Sequence, residues 1–290
     1  MSLPAAFLGQ RSGLTASAVG LGCSRLGSTL SGCTGTAAER LLQHALASGI
    51  TLFDTANIYG QGESERLIGA ALRGRRDEAI IVTKAGQRFT TAQRMAALAK
   101  APLRQMARRL PGLRDAIASR RAAPLPRDYS SEHLQRSIED SLRRLQTERI
   151  DLFLLHSPSA AAVARGEAFE MLGRLVQQGK LRAWGISCDD AECVEAALRV
   201  PAVAALQVPL TLAQSMRPAL DAAAAQGVGL MLREIFAGQP GTAAARAAAL
   251  QAALGFPQAV ALVGTTSAAH LDEALSFAQG TKRVEATRDS

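Results

Sequence analysis

Four side chains of different chemistry lie at or just after the ends of short apolar runs in the sequence. Asp54, Lys84 and His156 each close such a run, and Tyr59 follows Asp54 by five residues. A phenol has an ordinary pKa of about 10, and an ammonium group beside it favours the phenolate. Asp54 can pair with that ammonium, and an imidazole can orient an oxygen by hydrogen bonding. The set therefore predicts reduction of a carbonyl group, with Tyr59 as the proton donor.

Each of these residues, taken singly, also has a structural explanation. An Asp at a strand end often forms a turn or caps a helix, and a buried His can be a hydrogen-bonded core residue. Lys84 could equally be a surface lysine. The set is harder to explain in this way, because the chain has only four lysines and two tyrosines. A catalytic role requires a fold that brings the ends of neighbouring strands together.

The order of the predicted strands and helices indicates a fold of this kind. Apolar runs alternate with amphipathic stretches, which is typical of a parallel sheet with intervening helices. Eight strands and eight helices favour the α/β class and a closed (β/α)₈ barrel, or TIM barrel, over an open doubly wound sheet. The strands are predicted at residues 18–22, 50–54, 79–84, 151–156, 181–187, 203–208, 228–233 and 259–264. The helices are predicted to begin near Thr36, Glu63, Ser131, Glu167, Asp190, Met216, Gly241 and Ser267.

Two further features concern the ends of the barrel. Short apolar stretches on either side of residues 10–13 predict an N-terminal β-hairpin that caps the barrel floor. The eighth strand ends in Gly264, Thr265, Thr266 and Ser267 just before a helix, where backbone N–H groups can bind a phosphate. A glycine turn followed by a serine N-cap is the alternative explanation of that segment.

One connection, at about residues 86–130, is much longer than the others. Its apolar positions recur at helical spacing with prolines between them, so we predict a helical insertion with a basic outer face. Nine arginines and Lys100 against Asp115 and Asp128 give this segment the whole net charge of +8. It holds few aromatic residues for base stacking, so nucleic-acid binding is not expected. The insertion follows the third strand at the active-site face, where it is either a lid or a solvated surface excursion.

Composition limits the remaining possibilities. With 290 residues, of which 48% are hydrophobic and 20% charged, the chain is expected to form one barrel domain over residues 1–290. We find no apolar stretch of about 18 residues and no signal-peptide pattern, so membrane association is not expected. Four scattered cysteines without metal-ligand spacing predict reduced thiols, no metal site and a cytoplasmic location.

Several segments of the chain resemble the signature segments of the aldo-keto reductases, namely FDTANIYGQGESERLIGAAL, IVTK, SLRRLQTERIDLFLLHSP, GKLRAWGIS and VGTTSAAHLDEAL. The resemblance covers nearly the whole chain except the basic insertion. It implies a (β/α)₈ barrel that transfers hydride reversibly between a nicotinamide, usually NADPH, and a small carbonyl compound or alcohol. It also implies that Tyr59 is the general acid, that Lys84 and Asp54 tune it, and that His156 positions the substrate oxygen.

The same resemblance implies where the cofactor is held. Ser187 and Gln207 match positions that bind the nicotinamide carboxamide, and residues 264–267 match the phosphate site. The full set of implied cofactor positions is Gly22, Cys23, Asp54, Ser187, Cys188, Gln207, Leu232, Arg233, Gly264, Thr265, Thr266, Ser267, His270 and Glu273.

Four positions depart from the family pattern. Cys188 replaces a common Asn, Leu210 replaces an aromatic that stacks on the nicotinamide, His270 replaces a common Arg, and Ala274 replaces an Asn near the adenine. Because arginine contacts phosphate permanently and in bidentate fashion, the His270 exchange makes NADH an alternative to NADPH. A catalytically weak, cofactor-binding redox sensor or subunit is the alternative function, and a scaffold that docks through the insertion is a third.

The identity of the substrate is open at this level. A small carbonyl compound is expected, and the arginines of the insertion make an anionic one an alternative. The oligomeric state is also open.

Overall fold

A computed structural model describes residues 3–28, 33–89 and 125–285 of the chain. Eight parallel strands form a closed barrel in the order β10-β3-β4-β5-β6-β7-β8-β9, which confirms the predicted (β/α)₈ fold. The barrel strands are β3 (Val19–Gly22), β4 (Leu52–Asp54), β5 (Ile80–Ala85), β6 (Ile150–His156), β7 (Leu181–Ser187), β8 (Ala205–Pro209), β9 (Gly229–Arg233) and β10 (Ala259–Gly264). Each overlaps a predicted strand, with identical bounds for β7 and β10 and bounds within two residues for the other six.

The N-terminal hairpin is present as predicted. Strands β1 (Ala5–Phe7) and β2 (Thr15–Ser17) pair antiparallel, with Phe7 opposite Thr15. Leu8 and Leu14, which flank the turn, are fully buried in the same cluster as the side chains of the barrel interior. The hairpin therefore closes one end of the barrel and leaves the other end for chemistry.

Helices connect the strands, and most begin where capping residues predict. They are α1 (Thr36–Ala47), α2 (Glu63–Ala71), α3 (Ser131–Leu145), α4 (Ala160–Arg165), α5 (Phe169–Gln177), α6 (Ala191–Leu198), α7 (Leu210–Ser215), α8 (Arg217–Ala225), α9 (Ala243–Leu254) and α10 (Ala268–Glu285). Ser130, Asp190 and Thr242 cap α3, α6 and α9 by accepting a hydrogen bond from a backbone N–H of the first turn.

Two short helices were not predicted from the sequence. Helix α4 follows the Ser159 N-cap, and α7 begins directly after Pro209 at the end of β8. Each has six residues, which is too short for an apolar periodicity to be recognised.

The helical part of the predicted insertion lies outside the described residues, which resume at Leu125. The two described ends of the insertion pair with each other. Gln87 and Arg127 form an antiparallel bridge, and Arg88 lies 3.9 Å from the Asp128 carboxylate. The excursion therefore leaves and rejoins the barrel at one place, immediately after β5.

Strand residues alternate between two cores. Leu52, Val82, Leu152 and Met231 fill the barrel interior, whereas their neighbours in sequence pack between the strands and the helices. Because side chains alternate with a period of two, Asp54 and every second residue along the other strands also face the interior. The last interior layer, at the carboxyl ends of the strands, is where polar residues replace apolar ones.

Gly69 allows a direct test of the packing between helices α2 and α3. A Cβ atom built on Gly69 would lie 2.4 Å from the carbonyl oxygen of Leu145, so Gly69→Ala forces the helices apart. We expect it to lower the free energy of unfolding by about 1–3 kcal/mol in chemical denaturation. Gly173 in α5 is the control, since an added Cβ meets nothing within 4 Å, and Gly173→Ala should stabilise by about 0.5–1 kcal/mol. Equal effects of the two substitutions would contradict the packing described.

Candidate active site

A buried ion pair lies at the carboxyl ends of β4 and β5. Lys84 Nζ donates to Asp54 Oδ1 at 2.6 Å and to the carbonyl oxygen of Thr55 at 2.9 Å. The two charged residues are only 1% and 6% exposed. Burial acts to lower the pKa of Lys84 and is the largest single effect, but the charge and hydrogen bond of Asp54 together with Tyr59 outweigh it, so the pKa is raised. Lys84 is therefore a permanent ammonium group inside the barrel mouth.

Tyr59 lies next to this pair. It begins a short 3₁₀ turn, Tyr59–Gln61, and its ring centre is 5.2 Å from Lys84 Nζ. Gly60 has φ 57° and a Cβ there would lie 3.0 Å from the backbone of Gly27, so the turn requires glycine. The turn is what directs the phenol toward the ammonium group.

The pKa of Tyr59 differs from the prediction. Burial raises it above the ordinary value, and Lys84 opposes that effect without overcoming it. We predicted a net shift toward the phenolate from the lysine alone. Desolvation of a buried phenolate has the larger effect here, so Tyr59 holds its proton in the free protein.

His156, at the end of β6, completes the group. Its ring is perpendicular to that of Tyr59, with 5.9 Å between the centroids. Burial, reinforced by the positive charges of Lys84, Arg233 and Arg127, lowers the pKa of His156 to about 3. In the described part of the chain its Nδ1 atom is buried without a hydrogen-bond partner. The imidazole is therefore neutral.

A hydrogen-bonded chain extends from Asp54 across the barrel. Gln207 Nε2 donates to Asp54 Oδ1 at 2.8 Å, and Ser187 Oγ donates to Gln207 Oε1 at 3.1 Å. The sequence indicated Ser187 and Gln207 only as cofactor contacts and missed this link. The period of two could have revealed it, because both residues have the interior parity of their strands.

Three of the predicted cofactor positions face away from the barrel interior. Cys23, Cys188 and Leu232 are fully buried in the outer core between strands and helices. Burial raises the pKa of the Cys23 thiol, and the Cys188 thiol, hydrogen-bonded to Cys193, also has a raised pKa. A cofactor contact at these positions can come only from backbone atoms. The four cysteines, which all lie among the described residues, form no disulfide bond.

Arg233 lies above the barrel at the end of β9. It donates to the carbonyl oxygen of Cys188 at 3.2 Å and pairs with the carboxylates of Asp189 and Glu234. These contacts join the loops that follow β7 and β9. The guanidinium charge acts to lower the pKa values of both Tyr59 and His156.

The predicted phosphate segment ends β10 beside β3, with Gly264 opposite Gly22 in the register. Thr265 Oγ1 accepts a hydrogen bond from the backbone N–H of Ser267, and Ser267 Oγ accepts one from His270. These bonds cap α10, as expected if the segment is a glycine turn followed by a serine N-cap. A Cβ on Gly264 would meet nothing within 4 Å, so the strand end borders open space.

A cavity of about 120 Å³ adjoins this segment. It is lined by Gly264, Thr265, His270 and Glu273, four of the predicted cofactor positions, and by Arg246. Sequence reasoning missed Arg246, because it belongs to α9, which lies before β10 in the chain.

Over the residues that the structure describes, no group of three or more His, Cys, Asp or Glu side chains is placed to hold a metal ion. Within the same residues, no helix combines the length and hydropathy that a membrane crossing needs.

The aldo/keto reductase family model matches residues 18–277 of this chain. Pyridoxal 4-dehydrogenase from Microbacterium luteolum is 31% identical over 199 residues, which are 65% of this chain and 56% of that protein. The chain spans about half the length of the curated relatives it matches, from 46% to 56% for four of them.

Solved structures of the same architecture exist. An aldo-keto reductase from Pseudomonas aeruginosa has a TM-score of 0.74 and 28% identity, with 94% of this chain and 93% of that chain covered. An aldo-keto reductase from Klebsiella pneumoniae in complex with NADPH has a TM-score of 0.66 and 21% identity, with 99% of this chain and 95% of that chain covered. At that identity the second comparison concerns the fold.

The depressed pKa of His156 makes stability depend on pH. The unfolded chain binds a proton at His156 near pH 6.5, whereas the folded site excludes it down to about pH 3. Stability from this residue is complete above pH 6.5 and is lost as the pH falls, by about 1.4 kcal/mol per unit. His156→Gln should therefore give a shallower decline between pH 6 and 4 in urea titrations. Identical slopes for His156→Gln and the unmodified chain would disprove the neutral assignment.

Proposed function

The chain belongs to the aldo/keto reductase family, and we propose that it is an NAD(P)H-dependent oxidoreductase that reduces aldehydes or ketones to alcohols. The observation that carries the proposal is the buried Lys84–Asp54 pair at 2.6 Å beside the Tyr59 phenol. A structural ion pair alone would not explain why a phenol and a neutral imidazole lie in the same barrel mouth.

Tyr59 is proposed as the proton donor. When bound, the nicotinamide supplies a hydride to the carbonyl carbon, and the carbonyl oxygen then needs one proton to become a hydroxyl group. Tyr59 Oη holds a proton near pH 7, since a phenol has an ordinary pKa of about 10 and burial raises the pKa of Tyr59 further. General acids positioned in this way contribute about 10²- to 10⁴-fold to the rate.

Lys84 stabilises the phenolate that forms as the proton leaves. Its ammonium group is 5.2 Å from the ring and cannot move away, because Asp54 and Thr55 hold it. A preorganised charge of this kind stabilises the product of proton transfer without costly rearrangement. Asp54 is a positioning residue, which keeps Lys84 charged and in place.

His156 is proposed to orient the carbonyl oxygen. With a pKa of about 3 it is neutral near pH 7 and is not the proton donor there. A neutral imidazole has one N–H and one free nitrogen, so it can donate a hydrogen bond to the oxygen without transferring its proton. This assignment separates the roles of His156 and Tyr59.

The residues at the strand ends fit a nicotinamide dinucleotide. Ser187 and Gln207 present buried hydrogen-bonding groups next to Asp54, which suits a carboxamide. Gly264 borders open space just before the start of α10, and it lines a cavity with Thr265, which suits a phosphate. NADPH is the proposed cofactor, in keeping with the NADPH complex of the Klebsiella protein. NADH is the alternative, because His270 stands where the family commonly has Arg.

The proposed substrate is a small carbonyl compound, and we favour one that carries a negative charge. Arg233 and Arg127 are close enough to His156 to lower its pKa, so the site has a positive potential. Such a potential raises the local concentration of an anionic substrate. A panel of small aldehydes with and without a carboxylate would test this preference.

Tyr59→Phe is the decisive substitution. We expect kcat for aldehyde reduction to fall by about 10²- to 10⁴-fold while NADPH binding is unchanged, since only the proton donor is lost. Turnover is followed by the loss of NADPH absorbance, and binding by NADPH fluorescence.

The other tyrosine supplies a matched control. Tyr129 donates to the carbonyl oxygen of His156 at 2.8 Å, so Tyr129→Phe removes a hydroxyl group nearby but not the proton donor. Its activity should fall by less than about tenfold. Full activity of Tyr59→Phe would disprove the mechanism, and NADPH binding without turnover in the unmodified chain would favour the redox-sensor alternative.

A further inference from the structure

The cavity beside the phosphate segment contains an ion pair between two helices. Arg246 of α9 contacts the Glu273 carboxylate of α10 in bidentate fashion, with Nε 3.0 Å from Oε2 and Nη2 2.7 Å from Oε1. Its third donor, Nη1, bonds the carbonyl oxygen of Gly241 at 2.7 Å. The two charged side chains are 30% and 28% exposed, so a ligand in the cavity can reach both.

Arg246 is the arginine among the residues that line this cavity, whose other ionisable members are His270 and Glu273. Arginine carries a permanent charge and a planar set of donors that matches a phosphate group, and histidine has neither property. The strand end at Gly264, which is expected to hold a phosphate, lines the same cavity. If a dinucleotide places a phosphate at this strand end, the 2′-phosphate on its adenosine ribose would therefore contact Arg246.

We propose that the Arg246–Glu273 ion pair sets the discrimination between NADPH and NADH. Arg246 supplies the cation for the 2′-phosphate, in place of an arginine at position 270, and Glu273 weakens it by sharing its donors. This inference rests on the proposed function, because it requires a bound nicotinamide dinucleotide.

Each nucleotide can form a favourable contact with one member of the Arg246–Glu273 ion pair. A 2′-phosphate gains from the arginine but is repelled by the carboxylate 2.7 Å away from the same guanidinium group. A free 2′-hydroxyl group can instead donate a hydrogen bond to Glu273. The unmodified chain is therefore expected to bind both nucleotides with a small preference for NADPH.

Removing either member should shift the preference in opposite directions. Arg246→Gln should weaken NADPH binding by about tenfold and leave NADH binding nearly unchanged. Glu273→Gln should strengthen NADPH binding by several-fold, about the effect of relieving one like-charge contact, and should not strengthen NADH binding. The double variant should bind the two nucleotides equally.

The experiment measures the Kd of each nucleotide by calorimetry, so it does not depend on turnover. Arg217→Gln is the matched control, because Arg217 of α8 also pairs with a carboxylate outside the cavity, its Nε atom lying 2.9 and 2.8 Å from the two oxygens of Asp221. It should leave both Kd values unchanged. Thermal unfolding of each variant checks that the barrel is intact.

Each outcome bears on the inference. Opposite shifts in the NADPH-to-NADH ratio for Arg246→Gln and Glu273→Gln support it. Equal changes for both nucleotides, or none, overturn it while leaving the proposed function in place. If the unmodified chain binds neither nucleotide, the proposed function fails, and this inference fails with it.

Discussion

The Lys84–Asp54 ion pair is the interaction on which the rest of the site depends. Removing two charges from water costs several kcal/mol for each ion, and a buried pair persists only where further hydrogen bonds satisfy both groups. Here Thr55 accepts a second bond from Lys84, and Gln207 donates one to Asp54. The contact with Thr55 joins the neighbouring strands β4 and β5, whereas the contact of Gln207 with Asp54 joins β8 to β4 across the barrel. The ion pair and the closure of the barrel therefore support each other.

Closure also explains why the remaining polar groups face one another. In most strands, apolar side chains fill the lower interior layers, and a polar residue or a glycine occupies the interior position at the rim. Ser187, Gln207 and Arg233 hold such positions on β7, β8 and β9. The period of two that fills the core with leucine and valine thus also places the chemistry at its rim. The alternation of side chains along each strand therefore determines both how the core is packed and where the reactive groups lie.

The electrostatics of the site follow from the balance between burial and charge. Lys84 alone would favour a phenolate at Tyr59, but desolvation is larger and keeps the phenol protonated. At His156 burial and positive charge act in the same direction, and the imidazole stays neutral. The pKa of Tyr59 is raised and that of His156 is lowered, and both groups are neutral. These shifts could not be predicted from the sequence, because desolvation depends on how completely the surrounding residues cover each group.

The sequence by itself determined the class of the fold, the approximate place of every barrel strand and the group of Asp54, Tyr59, Lys84 and His156. It could do so because strand periodicity, capping residues and strand-end position are local properties. The tertiary structure alone decided the rest: the short helices α4 and α7, the link from Asp54 through Gln207 to Ser187, and the pairing of Arg246 with Glu273. Those contacts join residues that are far apart in the chain, and only the closed barrel and its packed helices bring them within bonding distance.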